Sequence, residues 1–520
     1  MHFCPKLFVI LSIGILLKVS GYKLLAFKIC NFERRTIVGI EIHLAISKSV
    51  TKEEWEKVYE ETLKLLEALP LAEKREVNIK GIPTVCLTKA KEQIYSDRWN
   101  GDKAGWMVEG DLETMRRAEE FFLPRDITKG RQISEDEEDV ILSILPDYID
   151  MECYTDESWR DMSYHPWACR TQNEPYHMCM LAIGCLIESR LGKKALVYGD
   201  ITGEQCVKAL KILDNYLDTP LDTPIQIAVC CDKERLWERV SRLPCDSITK
   251  IRIFEYLFIG KKEWEFGEFL RNKCFKKNLD KYWDVKLNDF CMSTYEQSAA
   301  IKEYLLMGFE SDEVISLVKR DKHTEDSYQE FLKCVEESKA YLEELKETAG
   351  KEAKECIETE IWDSFREKLC ELWGRDFFEL FKDLHNKMIS PKKFEKILYD
   401  IEEYEDLRSY KEGDTIHPGI MDNLRSVEMF YRDLLQEEEY EELVNGTWEE
   451  RCKWLQENNH KIVIRDTDWE KIYQRIEEEK EAFARYYPIM RVSINSNAVL
   501  QISKAYLIND DIFEVCKKLS

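Results

Sequence analysis

The segment from Tyr176 to Leu191, YHMCMLAIGCLIESRL, is apolar on almost every side of a helix until Glu188 appears. A helix of this kind cannot lie on a protein surface, because it has no polar face to turn towards water. Other elements must therefore surround it, so the chain has to fold in layers around a buried helix. Gly192 predicts where this helix ends.

The same segment contains three side chains that can bind metals, His177, Cys179 and Cys185. On a straight helix Cys179 and Cys185 point about 120° apart, and His177 and Cys179 point about 200° apart. These side chains therefore cannot meet at one metal ion. His165 and Cys169 precede the helix in HPWACR, but the combination has no spacing typical of zinc sites. We predict that the cysteines are core residues and that no metal is bound.

The chain has 520 residues, which exceeds the size of proteins that fold around a single hydrophobic core, so several domains are expected. Apolar residues at 44% and charged residues at 34% are typical of a folded protein. We predict an α+β fold that is predominantly α-helical. The expected parts are an apolar and basic leader in 1–35, a small α/β sandwich in 36–133, a central α/β segment in 138–243, and a large irregular helical region in 247–520 with a few strands near the C-terminus.

Residues 36–133 combine strand and helix patterns. TIVGIEIHLAIS alternates as a strand does, with His43 on the face opposite its apolar residues. Thr51 and Glu54 have the spacing of a capping box for the helix that follows, and Pro70 marks its end. EVNIKGIPTVCLT and AGWMVEGD predict further strands, and LETMRRAEEFFL predicts a second amphipathic helix that ends at Pro124. Together they predict one antiparallel sheet with helices on one face.

The candidate binding residues of the chain lie in the central segment. ALVYGD predicts a short strand that ends at Asp200, and Thr202 with Gln205 predicts a capping box for the next helix. Ligands often bind where a strand meets a helix N-terminus, because free N–H groups and the helix dipole converge there. His177, Asp200 and Thr202 are therefore the candidates for a binding site. The competing interpretation is that Asp200 and Thr202 only cap the helix.

From residue 247 onward the pattern is almost entirely helical, with apolar residues recurring at intervals of three and four. No fixed period typical of tetratricopeptide, ankyrin or armadillo arrays is present, so an irregular helical region is expected. Strand patterns return in KIVIRD and in MRVSINSNAVLQIS, on either side of the helix pattern TDWEKIYQRIEEEKEAFARYY.

Residues 1–35 contain six basic residues and one acidic residue, in contrast to the acidic remainder. Their apolar run from Leu7 to Leu17 is shorter than the ~20 residues that cross a bilayer. A signal peptide, a membrane anchor reaching Phe27 and a leader outside the natural protein are the three interpretations. We favour the last, because eighteen cysteines without a CxxC pair are typical of a reducing compartment. A cytoplasmic location is expected, with export or anchoring as the alternative.

The formal charge of -25 argues against nucleic-acid binding, which needs clustered Lys and Arg. P-loop, G-x-G-x-x-G, G-x-S-x-G and H-E-x-x-H motifs are absent from the sequence, so no cofactor is expected. An acidic helical half is compatible with a protein partner, including a basic one. We therefore expect a non-catalytic interaction protein, acting as a scaffold or an inhibitor. The alternative is an enzyme or small-ligand binder with its site near His177 and Asp200.

Overall fold

The computed structural model describes residues 40–97, 101–113, 115, 117–128, 139–145, 162–171, 174–287, 294–317, 325, 327–340, 437–459, 463–479, 482–484, 486–487, 507–508, 510 and 513–514. These residues form a helix-dominated α+β fold with one three-stranded and one five-stranded sheet, which confirms the predicted fold class. The leader predicted in 1–35 and the strand pattern in 490–503 lie outside the described residues.

The strands are β1 (Glu41–Ser47), β2 (Leu71–Ile79), β3 (Ile82–Lys89), β4 (Gln93–Asp97), β5 (Gly101–Asp111), β6 (Arg117–Pro124), β7 (Ser163–Arg170) and β8 (Ala195–Gly199). The helices are α1 (Lys52–Ala68), α2 (Tyr176–Leu191), α3 (Gly203–Tyr216), α4 (Lys233–Ser241), α5 (Ser247–Leu257), α6 (Trp264–Lys273), α7 (Lys276–Leu287), α8 (Thr294–Leu306), α9 (Ser311–Leu317), α10 (Glu437–Asn445), α11 (Trp448–Asn458) and α12 (Asp466–Glu478). Residues 327–340 are also helical, and a short 3-10 turn covers Val229–Cys231.

The three-stranded sheet has the order β7-β1-β8, and both neighbours of β1 run antiparallel to it. Ile42, Leu44 and Ile46 point into the core, as their alternation in the sequence predicts. His43 lies on the other face of β1 and stays partly exposed. This sheet therefore turns one apolar face towards α2, and its opposite face carries both His43 and the buried Ala45.

The five-stranded sheet has the order β3-β2-β5-β4, with β6 paired to β5. A tight turn at Lys80 and Gly81, both with positive φ, joins β2 to β3 where the sequence pattern suggests a bend. The helix predicted in LETMRRAEEFFL is wrong, because residues 117–124 form strand β6. Phe121 and Leu123 alternate into the core opposite Val108 and Trp106, so pairing with β5 overrides the helical pattern.

One hydrophobic cluster, the sheet-centred core, includes residues from both predicted segments, 36–133 and 138–243. Trp167 on β7 packs against Phe121 and Trp106, and its indole N–H donates to the Phe122 carbonyl at 3.2 Å. The segment HPWACR, which precedes α2 in the sequence, forms the last six residues of β7. The strand stands beside β6, so the two sheets meet at this core.

Helix α2 lies at the centre of the sheet-centred core, as its apolar sequence predicts. Twelve of its sixteen residues are buried, and Gly192 ends it with a positive φ of 57°. Helix α1 begins with the predicted capping box, in which Thr51 and Glu54 bind each other's backbone N–H groups. Helices α1 and α3 pack against α2 within this core.

A second cluster, the helical core, is built mainly by α4 to α9 and residues near 331–335. Stacked aromatic rings hold α5 to α6, since Phe254 lies parallel to Phe266 at a centroid distance of 5.4 Å. Trp283 on α7 packs edge-on against Tyr304 on α8 at 4.8 Å. Ala45 and Leu196 join this cluster, so the outer face of the three-stranded sheet connects the two cores.

The last described helices pack on the β2-β3 hairpin, which lies almost 400 residues away in the sequence. The Tyr473 hydroxyl lies 2.9 Å from the Thr84 hydroxyl, and the Trp469 indole donates to the Val85 carbonyl at 3.2 Å. In KIVIRD the described residues form a single parallel bridge, between Ile464 and Cys86, rather than a strand. Among the described helices, none has both the length and the apolar character that crossing a bilayer requires.

Candidate functional site

His177 occupies the first turn of α2, with its ring 1% exposed in the sheet-centred core. Its Nδ1 lies 2.7 Å from the Thr171 hydroxyl, and Thr171 is itself held by its N–H bond to the Ile40 carbonyl. Its Nε2 is buried without a hydrogen-bond partner. Burial lowers the pKa of His177 to about 4, so the ring is neutral at neutral pH.

Asp200 follows the last residue of β8 and is exposed. Its N–H donates to the Glu41 carbonyl at 2.9 Å, and its carboxylate accepts the Glu41 N–H at 3.3 Å. Gly199 has a φ of 118°, and a Cβ there would lie 2.6 Å from the Glu41 carbonyl oxygen. Glycine at position 199 therefore allows β8 to approach β1 closely next to Asp200, because a side chain there would clash with the Glu41 carbonyl.

Thr202 is the N-cap of α3, and the predicted capping box with Gln205 is present. The Thr202 hydroxyl accepts the Gln205 N–H at 3.1 Å, and the Gln205 side chain accepts the Thr202 N–H at 2.8 Å. Of the two residues that the sequence suggests as caps, Thr202 alone binds the helix N-terminus, while Asp200 binds Glu41. The three candidates thus have separate neighbours: His177 lies in the core, Asp200 at the start of β1 and Thr202 at the start of α3.

A cluster of three thiols lies beside His177, and we call it the thiol cluster. It comprises Cys185 on α2, Cys206 on α3 and Cys231 at the end of the 3-10 turn. The sulfur atoms of Cys206 and Cys231 are 3.8 Å apart, and Cys185 also hydrogen-bonds to Cys206. His177 is close enough to Cys206 for each to shift the pKa of the other.

The pKa values of the three thiols in this cluster shift in opposite directions. Hydrogen bonds from Cys185 and Cys231 lower the pKa of Cys206, with a smaller contribution from His177. The same hydrogen bonds, together with burial, raise the pKa of Cys185 and of Cys231. Cys206 is therefore the most acidic of the three thiols and the one that loses its proton first. Such a thiolate is the nucleophilic form of cysteine.

Metal binding finds no support in the part of the chain that the structure describes, where no group of three His, Cys, Asp or Glu residues is arranged to hold an ion. Cys179 lies away from the thiol cluster, near Lys89 and Asp111, which influence the pKa of its thiol. Cys179 and Cys185 thus face different sides of α2, as the helical geometry predicts.

A second polar group lies on the outer face of the three-stranded sheet. Glu41 bonds to His43 at 3.0 Å through one oxygen and to Arg170 at 2.7 Å through the other. The His43 ring stacks on Tyr198 with a centroid distance of 4.9 Å. The hydrogen bond from Arg170 lowers the pKa of Glu41. Glu41, His43 and Arg170 thus bond to one another, as is typical of an ion-pair network near the protein surface.

Sequence reasoning did not find the thiol cluster, because its members come from three elements with no common spacing. The sequence pattern indicates only that Cys185 and Cys206 are buried, because the apolar residues of each helix place these cysteines on its inward face. Comparisons of the chain with protein-family models, with curated proteins and with solved structures gave no match. The function therefore has to be argued from the residues themselves.

Proposed function

We propose that the protein is a non-catalytic interaction protein of the cytoplasm that binds a basic protein partner. The proposed contact is the Trp264 surface, which consists of Trp264 with Glu263, Glu265 and Glu268 at the start of α6. The observation that carries the proposal is the 60% exposure of Trp264, a large aromatic side chain that the fold leaves in water. Tryptophan is enriched among the residues that dominate binding energy at protein interfaces.

Trp264 is held in place although it is exposed. Its ring lies over Gly308, whose positive φ of 78° and lack of a Cβ permit the close approach. The Arg271 guanidinium lies 5.3 Å from the Trp264 ring centroid and 5.0 Å from that of Phe309. A ring that is already positioned loses little conformational entropy when a partner covers it.

The charge around Trp264 indicates what kind of partner fits. Glu263, Glu265 and Glu268 are all exposed, and the closest basic nitrogen to the Glu265 carboxylate in an ion pair, that of Lys233, is 3.9 Å away. Three carboxylates beside an indole face suit a Lys or Arg side chain, which would gain both ion pairs and a cation–π contact. The net charge of -25 adds long-range attraction for a basic protein.

The cytoplasm is proposed because of the thiols. Cys206 and Cys231, whose sulfurs are 3.8 Å apart, are both free thiols. Close pairs of this kind persist as thiols in a reducing compartment. The alternative of a small-ligand site at His177 and Asp200 has less support, because the first is enclosed in the core and the second is exposed and bonded to Glu41.

The test compares the tagged full-length protein with three variants in cells that make it. Trp264→Ala and the triple charge reversal of Glu263, Glu265 and Glu268 to Lys should each reduce recovery of one stoichiometric partner about tenfold. Ile94→Ala is the matched control, since Ile94 is 69% exposed on β4 and should leave recovery unchanged. The purified pair should dissociate as salt rises. Full recovery with Trp264→Ala, or a monomeric protein without a partner, would refute the proposal.

A further inference from the structure

The thiol cluster brings Cys206 and Cys231 to a distance from which a bond can form. Their sulfurs are 3.8 Å apart, compared with about 2.05 Å in a disulfide. A Cβ built on Gly203 would lie 3.7 Å from the Cys231 Cβ, so the first turn of α3 stands directly against Cys231. Bond formation therefore requires the two sulfur atoms to approach each other by about 1.8 Å.

The two cysteines also differ in exposure in a way that suits oxidation. Cys206 is fully buried, whereas Cys231 is partly exposed and gives a small oxidant access to the pair. The neutral imidazole of His177, whose Nε2 is buried without a hydrogen-bond partner, also lies close to Cys206. An accessible sulfur beside a second cysteine that can resolve the oxidised product is typical of redox-sensitive cysteines.

We propose that Cys206 and Cys231 form a reversible disulfide when hydrogen peroxide reaches Cys231. Cys231 gives its proton to the Cys206 thiolate as its sulfur attacks one peroxide oxygen. The O–O bond breaks, leaving a sulfenic acid on Cys231 and a hydroxide ion. Hydroxide takes the proton back from Cys206, and the resulting thiolate attacks the Cys231 sulfur. The S–S bond forms as the S–O bond breaks and hydroxide leaves.

The electrons and atoms of this sequence balance. Two cysteine sulfurs lose two electrons in total, and peroxide gains them. One thiolate, one thiol and one hydrogen peroxide give one disulfide, one water and one hydroxide. A small thiol reductant reverses the reaction by exchange at Cys231, the partly exposed sulfur. The disulfide would join α3 to the turn that precedes α4.

Cys185 is the competing partner, because it also hydrogen-bonds to Cys206. Cys185 is fully buried on α2, so a peroxide molecule has no direct path to its sulfur. The proposal therefore specifies the Cys206–Cys231 bond and excludes one between Cys185 and Cys206. It does not depend on the Trp264 surface, so the two proposals fail or survive independently.

The experiment treats the purified full-length protein with a small excess of hydrogen peroxide, blocks the remaining thiols and maps peptides without reduction. The expected product links the tryptic peptide ALVYGDITGEQCVK to the one ending in AVCCDK. Cys206→Ser and Cys231→Ser should each abolish this link, and Cys230→Ser should retain it. Cys274→Ser, a partly exposed cysteine outside the cluster, is the matched control and should also retain it.

A reductant should regenerate the free thiols and remove the link. Circular dichroism of each serine variant before treatment verifies that it is folded, so loss of the link reports on chemistry. A link that persists in Cys231→Ser, a Cys185–Cys206 link, or irreversible oxidation of single cysteines would overturn the proposal. Recovery of all thiols unmodified after peroxide treatment would overturn it as well.

Discussion

Glu188 is buried in the sheet-centred core and Glu255 is partly buried in the helical core, and the pKa values of the two carboxylates shift in opposite directions. Burial raises the pKa of Glu188, whose oxygens accept the N–H groups of Val197 at 2.8 Å and Val229 at 2.7 Å. Burial also acts on Glu255, but Lys286 and Lys262 outweigh it and lower its pKa to about 2.

The difference reflects how each core is assembled. In the sheet-centred core, the edge strand β8 and the 3-10 turn lie next to α2 and present backbone N–H groups that a carboxylate can bind. In the helical core, backbone groups are satisfied within helices, so side-chain charges remain to pair with one another. Glu188 thus joins β8 to the 3-10 turn, and Lys286 joins α5 to α8.

The largest effect is expected from Lys286→Met. Lys286 lies 2.9 Å from Glu303 and 3.4 Å from Glu255, so its removal takes the ion pair from Glu303 and leaves Glu255 with Lys262. The cost should be about 3 kcal/mol of unfolding free energy at pH 7, at the lower end for a buried pair because these side chains are about a fifth exposed. Urea denaturation measures it.

The pH dependence of this cost has a definite sign. The folded pKa of Glu255 is lowered, so its contribution is present above its ordinary value of 4.5 and is lost as pH falls towards about 2. The variant, lacking the lysine, can protonate its carboxylates at higher pH. The cost should therefore shrink as pH falls from 7 towards 3, and a cost independent of pH would contradict charge pairing.

Glu188→Gln should cost less, about 2 kcal/mol. An amide retains one acceptor, but its NH2 group must face one of the two N–H groups that Glu188 binds, leaving a buried donor unsatisfied. Glu238→Gln is the matched control, because Glu238 is exposed and pairs with Arg242 one helical turn away. We expect a change of less than about 0.5 kcal/mol for the control.

The cost of Glu188→Gln should depend on pH in the opposite way to the cost of Lys286→Met. The folded pKa of Glu188 is raised, so its titration favours the folded state below 4.5 and this contribution is lost as pH rises through the folded pKa. Glutamine does not titrate. The cost of Glu188→Gln should therefore fall as pH rises from 4.5 towards 8, opposite to the trend for Lys286→Met. Parallel trends in the two variants would remove the proposed difference between the cores.

Local parts of the fold could be predicted from sequence, whereas long-range pairing could not. The apolar sequence of α2 and the capping boxes at Thr51 and Thr202 depend on neighbouring residues and were predicted correctly. Strand β6 was mistaken for a helix, because its structure depends on pairing with β5. The contact of Tyr473 with Thr84 had no local signal at all.

In the candidate site, too, local features could be predicted from the sequence and long-range contacts could not. The position of Thr202 at a helix N-terminus was visible in the sequence, but the bond between Asp200 and Glu41 requires β1 and β8 to be known as antiparallel neighbours. Cys206 and Cys231 are 25 residues apart and meet only because α3 and the 3-10 turn pack together. The spacing of metal ligands can therefore be tested within α2, but it does not reveal that Cys206 and Cys231 lie beside this helix.

The smallest effect is expected at the start of α3, where hydrogen bonding to backbone N–H groups can be tested away from either core. Thr202→Ala removes the hydroxyl that accepts the Gln205 N–H and should cost about 1 kcal/mol in urea denaturation. Asp200→Asn should change stability by less than about 0.5 kcal/mol, since an amide oxygen can still accept the Glu41 N–H and the side chain is exposed. If backbone hydrogen bonding rather than charge stabilises this region, the neutral cap at Thr202 must count for more than the charge at Asp200. An equal or larger loss from Asp200→Asn would mean that charge contributes here as it does in the helical core.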